Sequence, residues 1–145
     1  MKKSEENAYS TKFKDLTELK NFIGKELGLT SWMQMSQKKI DDFAEITDDK
    51  QWIHTDPDKS ALYSPYKKTV AHGFLVLSMV SRISFNAFSI KNVVAGINYG
   101  LDRVRFPNAT KSDSAYRGRV SLMEFTEIPS GAKYKLKIEI EIQGE

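Results

Sequence analysis

HGFLVLSMVSRISFNAF, residues 72–88, is the stretch on which the fold turns. Coiled as a helix, it carries apolar side chains around almost its whole circumference, and Arg82 is its only charge. A helix that is apolar all round has to be enclosed by other elements rather than lie on a surface. The chain beyond it is of another kind. Residues 92–106, 115–128 and 133–143 read as long extended segments. The last is the clearest, because Tyr134, Leu136, Ile138, Ile140 and Ile142 alternate strictly with lysine, glutamate and glutamine. Pro129-Ser130-Gly131 supplies the turn between the last two, which makes an antiparallel pair the simplest connection. One enclosed helix succeeded by consecutive strands predicts an α+β architecture, with an antiparallel sheet curved over that helix.

Working back toward the N-terminus, Leu16, Leu19 and Ile23 mark one helical stripe, Asp15 with Glu18 forms a capping box, and Gly28 is placed to end that helix. Residues 1–12 read as a loose arm and residues 29–35 as a strand. Ser36 then caps a second helix whose Ile40, Phe43 and Ala44 face inward and which frays near Thr47. Residues 48–65 have no sustained periodicity. Within them Asp56-Pro57 reads as an N-cap with proline at the first helical position, opening a short turn through Leu62.

The chain has 145 residues, 40% of them apolar, with no internal repeat and no low-complexity tract, which predicts one domain over 1–145. Its 22 basic and 19 acidic side chains leave a net charge of +3, and Lys38-Lys39 and Lys67-Lys68 lack interleaved aromatics, so a nucleic-acid partner is not expected. The absence of cysteine removes disulfides, thiolate nucleophiles and cysteine-based metal centres. The opening residues lack the apolar core of a secretory signal. The greasiest run, 74–80, meets Arg82 too soon to cross a bilayer, so the expectation is a cytoplasmic protein without a membrane partner. GxGxxG, GxxxxGK[ST] and HExxH do not occur.

Chemistry concentrates in the irregular stretch and at the head of the apolar helix. Asp49 and His54 are five residues apart, an odd number on a strand and about 140° on a helix, so only a loop or broken turn lets them converge. The spacing alone also fits a turn-capping aspartate and a structural histidine. His72-Gly73 opens the helix, where unpaired amides and the positive end of the dipole meet, and glycine admits close approach of a ligand oxygen or simply tight packing. Ser81 lies two turns on, able to orient a carboxylate or to bond back to its own helix.

The ordered set Asp49-x4-His54, Asp56-Pro57, Ala71-His72-Gly73 and Asn98-Tyr99-Gly100-Leu101-Asp102-Arg103-Val104-Arg105-Phe106-Pro107 resembles the MaoC-like dehydratase family, and its NodN-like branch in particular. The resemblance implies the hotdog fold, in which an antiparallel sheet wraps a long central helix and two subunits pair as a homodimer. It implies an R-specific enoyl-CoA hydratase, a hydro-lyase that interconverts 2-enoyl-CoA and (3R)-3-hydroxyacyl-CoA. Asp49 and His54 then match the acid/base pair, Gly73 the main-chain donor to the thioester oxygen, and Ser81 the serine that supports the aspartate. The substrate is an acyl-CoA thioester; no metal or redox cofactor is implied, and CoA enters only as part of the substrate.

Some residues depart from the family's usual Gly-Asp-x-Asn-Pro-x-His. Asp48 replaces the glycine, where its charge would raise the pKa of Asp49 or compete with it, and Gln51 and Trp52 replace Asn-Pro. These changes keep open a non-catalytic acyl-CoA-binding subunit, and an acyl-CoA thioesterase stays open because on this fold it too needs a carboxylate and a helix-terminal donor. Arg103 and Arg105, two residues apart on one strand face, suit CoA phosphates or cross-sheet salt bridges equally. Trp52 and Tyr63 suit an acyl channel, the core or an interface.

Overall fold

The computed structural model describes residues 5–145. In chain order the elements are β1 (Tyr9–Phe13), α1 (Leu16–Lys20), β2 (Glu26–Leu29), β3 (Met33–Met35), α2 (Gln37–Thr47), α3 (Trp52–Thr55), α4 (Pro57–Tyr63), α5 (Gly73–Ser78), α6 (Val80–Ala87), β4 (Phe88–Ile90), β5 (Ser114–Ile128) and β6 (Gly131–Ile142). They gather into two compact units. The first takes the chain up to Ser31 with Val80–Arg103 and Arg117–Glu141; the second takes Trp32–Met79, Val104–Tyr116 and Ile142–Glu145.

In the first unit β2 pairs antiparallel with β1, Tyr9 opposite Leu29, and with β5, Leu29 opposite Arg119. β6 joins β5 across Pro129-Ser130, a connection short enough only for an antiparallel pair. β1 and β4 run parallel, Thr11 opposite Phe88, so the sheet is mixed rather than wholly antiparallel. The long excursion between those two strands makes a parallel pair possible. Leu27, Leu29, Ile83, Ala87, Val120 and Leu122 are buried here.

α1 ends at Asn21, well short of Gly28, which sits inside β2. A Cβ on Gly28 would lie 2.1 Å from the Ala87 carbonyl oxygen, so glycine is there to let the sheet approach the end of α6. The arm is fastened from Glu6 onward. Arg117 is 1% exposed, and its guanidinium donates to the Glu6 carbonyl at 2.8 Å and to the Glu141 carboxylate at 2.8 Å. Arg119 reaches Glu6, Glu26 and Glu141. Burial opposes the charge on Glu141, but the two guanidiniums outweigh it and hold the carboxyl below its ordinary value. The expectation for residues 1–4 lies outside the described residues.

Two further expectations change. Residues 93–106 form no strand; Val94, Ile97, Tyr99 and Leu101 are exposed, and the segment is tied in the first unit by Lys135–Asp102 at 2.5 Å and by Lys133 over the Tyr99 ring at 4.7 Å. An extended segment needs a neighbouring strand for its main-chain groups, and none among the described residues supplies one. The apolar helix is α5 and α6, separated at Met79, whose N–H is shared between the Leu75 and Val76 carbonyls at 3.2 Å each. Phe74 is 72% exposed and Phe85 77%, so the apolar circumference is not fully covered. No described helix is long and apolar enough to cross a membrane.

In the second unit β3 pairs antiparallel with the first residues of β5, Met33 opposite Tyr116 and Met35 opposite Ser114. Ser36 caps α2 by accepting from the Lys39 amide at 3.3 Å, and Ile40 and Ala44 are buried along its inner face. Asp56 caps α4 by accepting from the Lys59 amide at 2.9 Å. Residues 69–71 form a shelf between two neighbours: Val70 donates to the Ile53 carbonyl at 3.1 Å, Ala71 to Thr110 at 2.7 Å, and Thr69 accepts from the Ser112 amide at 2.9 Å.

The Gly28 contact is with main chain and cannot be relieved by rotating a side chain. Gly28→Ala is therefore expected to destabilise the fold by about 1–3 kcal/mol. Denaturant unfolding measures this, and an unchanged midpoint contradicts the close approach.

Candidate active site

α2 stops because Asp48 takes left-handed backbone, φ 58°, which releases residues 49–51 before the single turn of α3 begins. Asp49 leaves from that break and His54 from within the turn. The spacing that regular structure would splay apart thus converges. A carboxylate oxygen of Asp49, a ring nitrogen of His54 and a ring nitrogen of His72 lie within 4.8 Å of one another, a span that one water can bridge with two ordinary hydrogen bonds.

The shelf holds His54. Its Nδ1–H donates to the Val70 carbonyl at 2.7 Å. Because a carbonyl only accepts, the proton belongs on Nδ1 and the lone pair of the neutral ring is at Nε2. The His54 carbonyl accepts from Gln37 Nε2 at 2.8 Å, and Gln37 Oε1 in turn accepts from the Thr69 hydroxyl, so side chain and main chain of this turn are both anchored.

His72, 3% exposed, stacks on His54 with ring centroids 3.8 Å apart and planes 24° from parallel. Phe43 packs against its ring at 5.0 Å. Its Nε2–H donates to the main-chain carbonyl of Asp49 at 2.9 Å, and its Nδ1 is buried without a hydrogen-bond partner among the described residues. In the sequence His72 stands out only as the residue before Gly73.

Asp49 Oδ1 accepts from Gln51 Nε2 at 3.0 Å. That bond, more than anything else, holds the Asp49 carboxyl below its ordinary value; partial burial opposes it and the two imidazoles add smaller help. Asp48 does not act as expected. Its carboxylate is 91% exposed and 4.0 Å from Lys50 Nζ, so no rise in Asp49 results. Gln51, which the sequence offered as a departure, is the residue that orients the carboxylate.

Gly73 opens α5 beside His72. A Cβ there would meet the Phe106 ring at 2.8 Å, so any other residue obliges that ring to move and packing also favours glycine. Its amide, as the first of a helix, also has no acceptor within that helix. The two readings of Gly73 are compatible. Ser81 is exposed on α6 and belongs to the first unit, whereas Asp49, His54, His72 and Gly73 all belong to the second. Arg103 and Arg105 are exposed on a segment without strand structure, which removes the shared strand face assumed for them. Trp52 is half-buried under Lys59 Nζ, 5.1 Å from the ring, and Tyr63 is exposed.

The three clustered side chains are of metal-binding type, but their orientation suits proton handling better. In-plane lone pairs of two rings stacked face to face run side by side instead of converging on one ion, and one nitrogen of each ring is already given to a carbonyl.

The MaoC like domain model matches residues 18–140. The chain belongs to the MaoC-like dehydratase family. It is 44% identical over 110 residues to nodulation protein N of Rhizobium leguminosarum bv. viciae, a match covering 75% of this chain and 68% of that protein. It is 32% identical over 133 residues to 3-hydroxyacyl-thioester dehydratase Z of Mycobacterium tuberculosis, covering 91% and 87%. Its fold is similar to that of the (R)-hydratase from A. caviae involved in PHA biosynthesis, with a TM-score of 0.61 at 19% identity over 79% of this chain and 81% of that one. The fold is thus the α+β hotdog, and membership of the MaoC-like family places the chain among hydro-lyases.

Gln51→Ala removes the donor that favours the ionised Asp49. Since the folded value is lowered, the Asp49 carboxyl titrates below the usual carboxylate range in the parent and moves to higher pH in the variant. NMR titration of the Asp49 side-chain carboxyl carbon reads this directly, and an unshifted curve refutes the role given to Gln51.

Proposed function

We propose that the protein is an R-specific enoyl-CoA hydratase, adding water to a 2-enoyl-CoA to give the (3R)-3-hydroxyacyl-CoA, or running the reverse dehydration. The observation that carries this reading is the juxtaposition of the Asp49 carboxylate with His54, whose ring has its proton committed to Val70 and its free nitrogen available. A carboxylate and an imidazole that share one water can take a proton from it, so that its oxygen bonds to C3 while the double-bond electrons move toward the thioester oxygen. Returning a proton at C2 from the same pair completes the addition on one face. The Gly73 amide is assigned to the thioester oxygen, where a main-chain donor contributes about 10²–10³ in rate. The chemistry requires no metal or redox cofactor.

The working form is assigned as a cytoplasmic homodimer. Support comes from the exposed apolar side chains of Val94, Ile97, Tyr99 and Leu101, and from Phe74 and Phe85 on the helices. Such surface favours burial against a second copy.

Loss of absorbance from the conjugated thioester, followed over a panel of enoyl-CoA chain lengths, tests the activity. His54→Ala is expected to lower kcat by at least about 10²-fold. Release of free CoA from saturated acyl-CoA, or saturable binding without turnover, contradicts the hydratase reading. In sedimentation the parent should run at twice the chain mass and Ile97→Asp as a monomer; a monomeric parent refutes the assembly.

A further inference from the structure

Between Asp49 and His54 stands one residue that touches both and that the hydration scheme leaves without a task. His72 is buried, its ring lies face to face with that of His54 at 3.8 Å, and its Nε2–H holds the Asp49 carbonyl at 2.9 Å. Phe43 packs against the same ring at 5.0 Å, and the chain continues directly into Gly73 and α5. We propose that His72 is a positioning residue, a brace that fixes the separation of the acid/base pair and ties it to the start of α5, without itself touching the substrate.

Each member of the pair lacks a support that His72 supplies. Asp49 comes directly after a helix broken at Asp48, and its own amide is held at 3.4 Å by the Thr47 hydroxyl, an exposed contact. The carbonyl bond from His72 is the part-buried contact that holds this main chain. His54 sits in a four-residue helix, too short to be stable by itself, and its ring is fixed at Nδ1 by Val70 but is free to rock about that bond unless something lies against its face. The His72 imidazole lies there. A histidine meets both demands, because a flat ring stacks and a ring N–H donates. Phenylalanine keeps only the first property and glutamine only the second. An error of about 1 Å in the placement of acid/base groups costs on the order of 10²-fold in rate, which sets the scale of what a brace can contribute.

The kinetic consequence rests on the hydratase reading and the geometry does not, so the test has two arms. In the parent protein, NMR should show a slowly exchanging His72 Nε2–H and a ring-to-ring Overhauser effect between His54 and His72. Their absence overturns the brace whatever the protein catalyses. In His72→Phe the ring contact to His54 should persist while the Asp49 carbonyl-carbon shift moves as its donor is lost. In His72→Gln the Asp49 carbonyl-carbon shift should stay near the parent's while the His54 Nδ1–H signal broadens. With enoyl-CoA both variants should lose about 10- to 100-fold in kcat with KM within about twofold. Unchanged kcat in folded variants, or a loss confined to KM, refutes the positioning role. A parent inactive on every thioester, with the NMR pattern intact, refutes the hydratase reading and leaves the brace standing.

Discussion

The hydrogen bond from His54 Nδ1 to the Val70 carbonyl, 2.7 Å long, is the constraint on which the site depends. It decides which ring nitrogen carries the proton, and therefore which one can face a water shared with Asp49. The bond is only as good as its acceptor. Val70 is held by its own amide to Ile53 and, through the flanking residues, to Thr110 and Ser112. Three stretches far apart in sequence, around 54, 70 and 111, must be in register before the imidazole acquires a chemical identity. The Asp49 carboxylate takes its donor locally, from Gln51 two residues on, while its main chain is held from a distance by His72.

The second constraint is the apolar surface left uncovered. A helix run with almost no charge, an exposed stretch rich in Val94, Ile97, Tyr99 and Leu101, and the half-buried apolar face of β6 all present area that water penalises. Burial of this area against a second copy is what the proposed homodimer would supply. The extended character written into residues 92–106 does not become a strand among the described elements, because such a segment gains its ladder only from a neighbour.

What the sequence makes legible depends on the range of the physics involved. α2 and α4 are readable because their caps, Ser36 and Asp56, act within three residues, and β6 because its alternation has period two. The convergence of Asp49 and His54 is readable as a requirement, since their spacing excludes regular structure between them, and the break at Asp48 meets it. Gly28 imitates a helix end because the carbonyl it makes room for, Ala87, is remote in sequence. The arm looks loose because nothing local announces that Glu6 bonds the buried Arg117 through its carbonyl and the half-buried Arg119 through its carboxylate. His72 is visible as a residue but not as a contact, since stacking on His54 depends on where the shelf brings the chain. Asp48 suggests a perturbing charge beside Asp49, whereas its backbone angle turns that charge outward.

Whether Asp49 and His54 act on one water as a single unit is measured most directly by a double-mutant cycle of Asp49→Asn and His54→Ala on kcat. If the two share the water, the double variant is no slower than the slower single variant, within about threefold. If their losses simply multiply, each works on its own proton, and the shared-water arrangement is wrong.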